Sequence, residues 1–159
     1  MSFVNIYFSL GSNLGDREAN ILEALRRMDE VFGCHYSALS RLIETKPMGF
    51  SGGKFLNAAV LYRVYLSPDF APLEVLRTVK SIEREVGRTD PPEYDGEGNR
   101  IYHSRIIDID ILFYGTERID IPELTIPHKG IADRPFVMIP LLEIAKPSLK
   151  RAFPEYFDG

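Results

Sequence analysis

Two hydrophobic periods alternate along the chain, and their order limits the fold more than any other feature. "FVNIYFSL" near the start is rich in β-branched and aromatic residues and stops at "GSN", which reads as a strand entering a turn. Asp16 then stands where a helix cap would, ahead of Ile21, Leu22, Leu25, Met28, Val31 and Phe32, which recur at helical spacing until Gly33. "CHYSALSRLIET" and "KFLNAAVLYRVYL" read as two further strands, joined by the Gly-rich "KPMGFSGG". Pro72 opens a second helix, whose apolar stripe Leu73, Leu76, Val79, Ile82 and Val86 ends at Gly87. A last greasy strand follows Ser104. The succession β-α-β-β-α-β predicts an α+β, ferredoxin-like core, an antiparallel sheet with its helices packed on one side. Beyond it, "ERIDIPELTIPH" offers short edge strands, and "DRPFVMIPLLEIA" reads as a helix capped by Asp133 that Pro140 should kink or shorten.

With 159 residues, 45% of them hydrophobic, the chain suits one domain, residues 1–159, with no internal repeat or linker. A net charge of −4 gives no global basic field, which argues against nucleic acid as a partner and requires phosphates to be met locally. The single cysteine, Cys34, excludes an internal disulfide framework and a cysteine-rich zinc site, and suits a reducing cytoplasm. No basic leader and no long apolar run is present, so neither export nor a membrane span is expected.

The final strand, "RIIDIDILF", is the chemical anomaly. Residues i and i+2 of a strand share a face, so Asp108 and Asp110 point one way while Ile107, Ile109, Ile111 and Phe113 fill the other. Two carboxylates roughly 6.6 Å apart along a strand can reach over a pair of Mg²⁺ ions about 3.5–4 Å apart. All-oxygen ligation favours magnesium, which commonly takes one or two carboxylates plus substrate phosphates. Ile106 and Leu112 flank the pair on its own face, and two covered carboxylates repel unless cations neutralise them.

Arg88, Arg100 and Arg105 precede the aspartates, and His128 and Arg134 follow the edge strands. Arginine's planar fork matches phosphate oxygens, and phosphoryl-type transfer relies mainly on positioning and charge stabilisation. His128 alone reads equally as a core histidine bonded to backbone. "SGGKF" lacks the glycine and hydroxyl of a Walker P-loop, and no kinase Gly-rich loop, G-x-S-x-G or H-E-x-x-H occurs. "TKPMGFSGGK" and "RTDPPEYDGEGNRIYHS" carry few core residues, and either form lids over a site or run as solvated excursions.

"SRIIDIDILFY", together with "SLGSNLGD", "ETKPMGF", "KFLNAAV", "LTIPH" and "DRPFVMIPLLEIA", resembles the 6-hydroxymethyl-7,8-dihydropterin pyrophosphokinase family of folate biosynthesis, in family order from Ser9 to Ala145. The resemblance implies transfer of diphosphate from MgATP to the exocyclic hydroxymethyl oxygen of the pterin, releasing AMP, by a cytoplasmic monomer whose partners are these two small molecules. It implies that Asp108 and Asp110 bridge two Mg²⁺ ions, that Arg88, Arg105, His128 and Arg134 contact phosphates, and that Thr125 lies near the ribose. Asn57 and backbone groups around Thr45 and Met48 would meet the pterin edge, with Phe55 and Phe136 lining its slot. A flat heterocycle needs an aromatic face and an amide that both donates and accepts. The sequence departs from the family pattern at Tyr102, in place of a tryptophan, at His103-Ser104 before the arginine, and at Glu123.

Two other readings remain at this stage. One is a non-catalytic ferredoxin-like module that senses a nucleotide or metal. The other is a metal nuclease, for which the chain lacks a basic groove with interleaved aromatics.

Overall fold

The computed structural model describes residues 2–45, 54–87, 96–97, 106–131 and 133–157. Strand β1 (Phe3–Ser12) leads into helix α1 (Arg17–Phe32). As expected, Asp16 caps that helix, accepting the Ala19 N–H at 3.1 Å, and Gly33 closes it in the left-handed conformation at φ 68°. The stretch expected as one strand divides into β2 (Ala38–Leu39) and β3 (Ile43–Thr45), both paired with β4 (Phe55–Tyr65). Ser40 causes the break: its hydroxyl accepts the Ala59 N–H at 2.8 Å and donates to the Arg41 carbonyl at 2.8 Å, so a side chain enters the ladder. Helix α2 (Pro72–Gly87) and β5 (Asp108–Tyr114) complete the core, and the hairpin β6 (Ile119–Ile121) and β7 (Leu124–Ile126) follows. The sheet order β2-β4-β1-β5, with β3 also on β4 and every pairing antiparallel, is the split-βαβ arrangement.

The two helices of the core lie on one side of the sheet, as expected, and the helices that follow it cover the other. Helices α1 and α2 cover one face, burying Ile21, Leu25, Met28, Val75, Val79 and Ile82 against Ile6, Phe8, Val60, Ile109 and Ile111. Helix α3 (Pro135–Ile144), α4 (Pro147–Ala152) and α5 (Pro154–Phe157) cover part of the other, where Val137, Leu141, Leu149 and Phe153 meet Tyr7, Ala59, Leu61, Leu112 and Phe113. The physical reason lies in β1 and β4, which are buried almost continuously rather than at alternate residues, the mark of a sheet covered twice. Tyr7 helps to fix this layer by accepting the Lys146 N–H on its phenol oxygen at 3.1 Å.

Two local expectations also change. Arg134, not Asp133, is the N-cap of α3, and it makes no side-chain cap bond. The helix continues past the buried Pro140, which removes only the bond its N–H would have made to the Phe136 carbonyl. In β5 the pairing slips, with Tyr7 opposite Phe113 but Phe8 opposite Ile111. Leu112 is thus an extra residue, a β-bulge that turns Phe113 onto the α3 side instead of the side of Ile109 and Ile111. Among the described residues no helix is long and apolar enough to cross a membrane.

Candidate active site

The α3 layer leaves one end of its sheet face open, and the sequence makes the floor there small. Ser9 and Gly11 of β1 pair with Asp110 and Asp108 of β5 on one side, and with Ala59 and Asn57 of β4 on the other. Cross-strand partners share a face, so a floor of Ser, Gly and Ala separates an amide from two carboxylates. Gly11 is needed for close approach, because a Cβ there would lie 3.0 Å from Asn57 Oδ1 and 3.5 Å from the Phe55 ring. Asn57 is only 4% exposed, and its Nδ2 donates to Thr45 Oγ1 at 2.6 Å, which fixes the amide plane. Phe55, Phe136 and Val137 complete the walls of a cavity of about 250 Å³ that Asp108, Asp110 and Arg134 also line.

A second cavity, of about 410 Å³, opens between α2, β5 and the β6–β7 hairpin, with Lys80, Asp110, Thr125, His128 and Arg134 in its wall. Asp110 and Arg134 belong to both cavities, so the two spaces meet at one carboxylate and one guanidinium.

The carboxylates are electrostatically loaded. Burial raises the pKa of Asp110 above the usual carboxylate range, and the charge of Asp108 raises it further, against the opposing pull of His128, Lys80 and Arg134. Glu83 of α2 joins them: its Oε2 accepts the Ile109 N–H at 2.6 Å and its carboxylate pairs with Lys80 at 3.2 Å. Burial, and then the proximity of Asp108, push the Glu83 pKa up to about 7. The raised pKa values of Asp110 and Glu83 beside the charge of Asp108 are what a divalent cation would relieve. Among the described residues no group of three or more His, Cys, Asp or Glu forms a metal cage, but Mg²⁺ needs only one or two carboxylates when substrate oxygens supply the rest. Asp108 and Asp110 fit that role.

The bulge in β5 has a counterpart across the cavity. Its extra carbonyl, on Leu112, accepts the His128 N–H at 3.2 Å. His128 Nδ1 in turn accepts the Gly130 N–H at 3.1 Å, which assigns the ring proton of the neutral imidazole to Nε2, the nitrogen 3.9 Å from Asp110 Oδ1. Gly130 also makes room for Arg134, since a Cβ there would lie 2.6 Å from its Nε. That close approach brings the guanidinium to within 6.0 Å of the Phe136 ring centroid.

The residues singled out from sequence therefore assemble around two adjoining cavities. Thr45, Phe55, Asn57 and Phe136 line the smaller with Asp108, while Thr125 and His128 line the larger. Met48, Arg88, Arg100 and Arg105 lie outside the described residues, as does most of both long loops with the lid role considered for them. Sequence reasoning missed Lys80 and Glu83, which sit on the polar stripe of α2 and read as solvated charge. It also missed the small floor and Gly130, which lies in the turn after His128 and so reads as an ordinary turn glycine.

A family model described as 7,8-dihydro-6-hydroxymethylpterin-pyrophosphokinase (HPPK) matches residues 7–146. The 2-amino-4-hydroxy-6-hydroxymethyldihydropteridine pyrophosphokinase of Porphyromonas gingivalis is 41% identical over 142 residues, covering 88% of this chain and 90% of its own. The enzyme of that name from Bacillus subtilis is 33% identical over 147 residues, covering 92% and 81%. A folate synthesis bifunctional protein of Arabidopsis thaliana is 39% identical over 144 residues, 90% of this chain but only 27% of that one. Among solved structures, a crystal structure of HPPK-DHPS in complex with substrates superposes with a TM-score of 0.64 at 15% identity, over 98% of this chain and 44% of that chain. At that identity the likeness speaks for the fold, and the sequence matches speak for the family: the chain belongs to the 7,8-dihydro-6-hydroxymethylpterin-pyrophosphokinase family.

Proposed function

We propose that this protein transfers diphosphate from MgATP to the hydroxymethyl group of 6-hydroxymethyl-7,8-dihydropterin, giving the pterin diphosphate and AMP in folate biosynthesis. Family membership supports the reaction, and one observation carries its location: Asp110 and Arg134 line both cavities, so two different substrates bound side by side would meet there.

The pterin takes the smaller cavity. The Asn57 amide, held by Thr45, reads its hydrogen-bonding edge, and Phe55 and Phe136 line its faces. The hydroxymethyl arm then points toward Asp108 and Asp110. ATP takes the larger cavity, with the ribose near Thr125 and the polyphosphate along His128 and Arg134. By the family resemblance Arg88 and Arg105 complete the phosphate contacts and Met48 the pterin contacts. Asp108 and Asp110 would hold the two Mg²⁺ ions, which would supply charge neutralisation of the phosphate oxygens. The pterin oxygen attacks the β-phosphorus, its proton is released, and the bond from that phosphorus to the oxygen bridging to the α-phosphorus breaks, so AMP leaves. The Arg134 guanidinium and the Nε2–H donor of His128 stabilise the charge without reorganising. The protein works as a cytoplasmic monomer. A non-catalytic sensor gains nothing from the geometry, because it has no need of two cavities sharing a carboxylate.

Incubation with MgATP and the dihydropterin should give AMP and pterin diphosphate in equal amounts, and nothing once magnesium is chelated. ADP as the nucleotide product would make the protein an ordinary kinase, and no turnover would restore the sensor.

A further inference from the structure

We infer that Arg17 is a positioning residue for recognition of the flat heterocycle: from the start of α1 it clasps the two strand ends that carry Thr45 and Phe55. This inference rests on the pterin occupying the smaller cavity. Arg17 Nη1 donates to the Lys54 carbonyl at 2.7 Å and lies 3.5 Å from Glu44 Oε1. Lys54 immediately precedes Phe55 and Glu44 immediately precedes Thr45, and these two cavity residues pair with each other across β3 and β4. One guanidinium nitrogen thus bonds the start of β4 and lies beside the end of β3, next to the outermost pair of the slot.

The arginine is itself well anchored. Asp16 caps the helix through the Ala19 N–H, and Asn20 Nδ2 donates to Ser12 Oγ at 3.2 Å and to the Leu14 carbonyl at 2.8 Å, so the first turn of α1 is tied to the end of β1. The bond to the Lys54 carbonyl fixes the start of β4, and β3, three residues long and paired with β4 alone among the described residues, is held through that strand. Fraying there would move Thr45, and with it the 2.6 Å bond that orients the Asn57 amide. A cation in the first turn of a helix is opposed by the helix dipole, so nothing in local helix preference calls for an arginine at this position. The bond to the carbonyl is charge-assisted and short, whereas the exposed pairing with Glu44 is long and contributes little. The cavity assigned to ATP shares no residue with this clasp.

The test is calorimetric titration of 6-hydroxymethyl-7,8-dihydropterin, and separately of a non-hydrolysable ATP analogue with Mg²⁺, into wild type, Arg17→Met and Arg17→Lys. Arg17→Met should weaken pterin binding about tenfold, the loss of one charge-assisted hydrogen bond, and leave the ATP analogue within about twofold. Arg17→Lys, which keeps a cationic donor, should recover most of the loss, and thermal midpoints should stay together. Unchanged pterin affinity in Arg17→Met, or an equal loss of both ligands with a falling midpoint, would overturn the positioning role. Failure of wild type itself to bind the pterin would overturn the functional reading and the inference with it.

Discussion

Glu83 accepts the Ile109 N–H at 2.6 Å, so the peptide between the two aspartates is held by a helix side chain rather than by a neighbouring strand. β5 is the last strand in the sheet order, and the outward donor of an edge strand otherwise faces water or another chain. Using a carboxylate for this purpose places a third acid against Asp108, at a position where the side chain is only 12% exposed.

That arrangement makes stability pH-dependent in a defined direction. The Glu83 pKa is raised from 4.5 to about 7 in the folded protein, and that of Asp110 is also raised. The folded state therefore binds more protons than the unfolded chain between these limits, so stability is highest at the acid end of the window and falls as pH rises from 4.5 toward 7. Thermal midpoints measured in chelator should decline across this window and level off above it. Glu83→Gln keeps an acceptor for Ile109 and should flatten the decline; an equally steep profile in this variant would show that Glu83 is not its source.

Asp108→Asn and Asp110→Asn are expected to lower kcat by on the order of a hundredfold or more, with the circular dichroism spectrum unchanged. Each removes negative charge proposed to hold magnesium. Turnover of Asp110→Asn near the wild-type rate at saturating Mg²⁺ would remove the metal assignment.

Asn57→Ala and Phe136→Ala should weaken pterin binding by about 1–3 kcal/mol each, through a lost polar partner and a lost aromatic wall. The ATP analogue should bind as before. Titrations showing the reverse pattern would exchange the occupants of the two cavities.

Gly130→Ala offers a test of the larger cavity. Its Cβ would fall 2.6 Å from Arg134 Nε, the end of a flexible side chain that can move away at little cost to the fold. The thermal midpoint should hardly change, while the KM for ATP rises several-fold because the guanidinium has left its place. Steady-state kinetics with an unaltered KM for ATP would mean that Arg134 acts from some other position.

The core was legible because its signals are local. Asp16 and Gly33 mark both ends of α1, Pro72 and Gly87 bound α2, and the succession of periods gives the split-βαβ order. The second helical layer was less so, because continuous burial in β1 and β4 reveals that a sheet is covered twice only when the strands are read as strands and the remaining helices counted. Asp108 and Asp110 stood out as charge in an apolar strand. Glu83 and Lys80 did not, since only tertiary packing shows that their helix face turns toward the edge of β5 instead of toward water. The bulge at Leu112, which frees the carbonyl that positions His128, depends on the register against β1 and has no signature in the residues themselves.

The central claim, that two substrate cavities meet at Asp110 beside a metal-holding Asp108, is tested most directly by crystals of the ternary complex with 6-hydroxymethyl-7,8-dihydropterin, a non-hydrolysable ATP analogue and Mn²⁺ in place of Mg²⁺. Anomalous scattering should place two metal peaks at the Asp108 and Asp110 carboxylates, with the pterin against Asn57 and Phe136 and the polyphosphate along His128 and Arg134. Metal peaks remote from both aspartates, or both ligands lying in a single cavity, would contradict it.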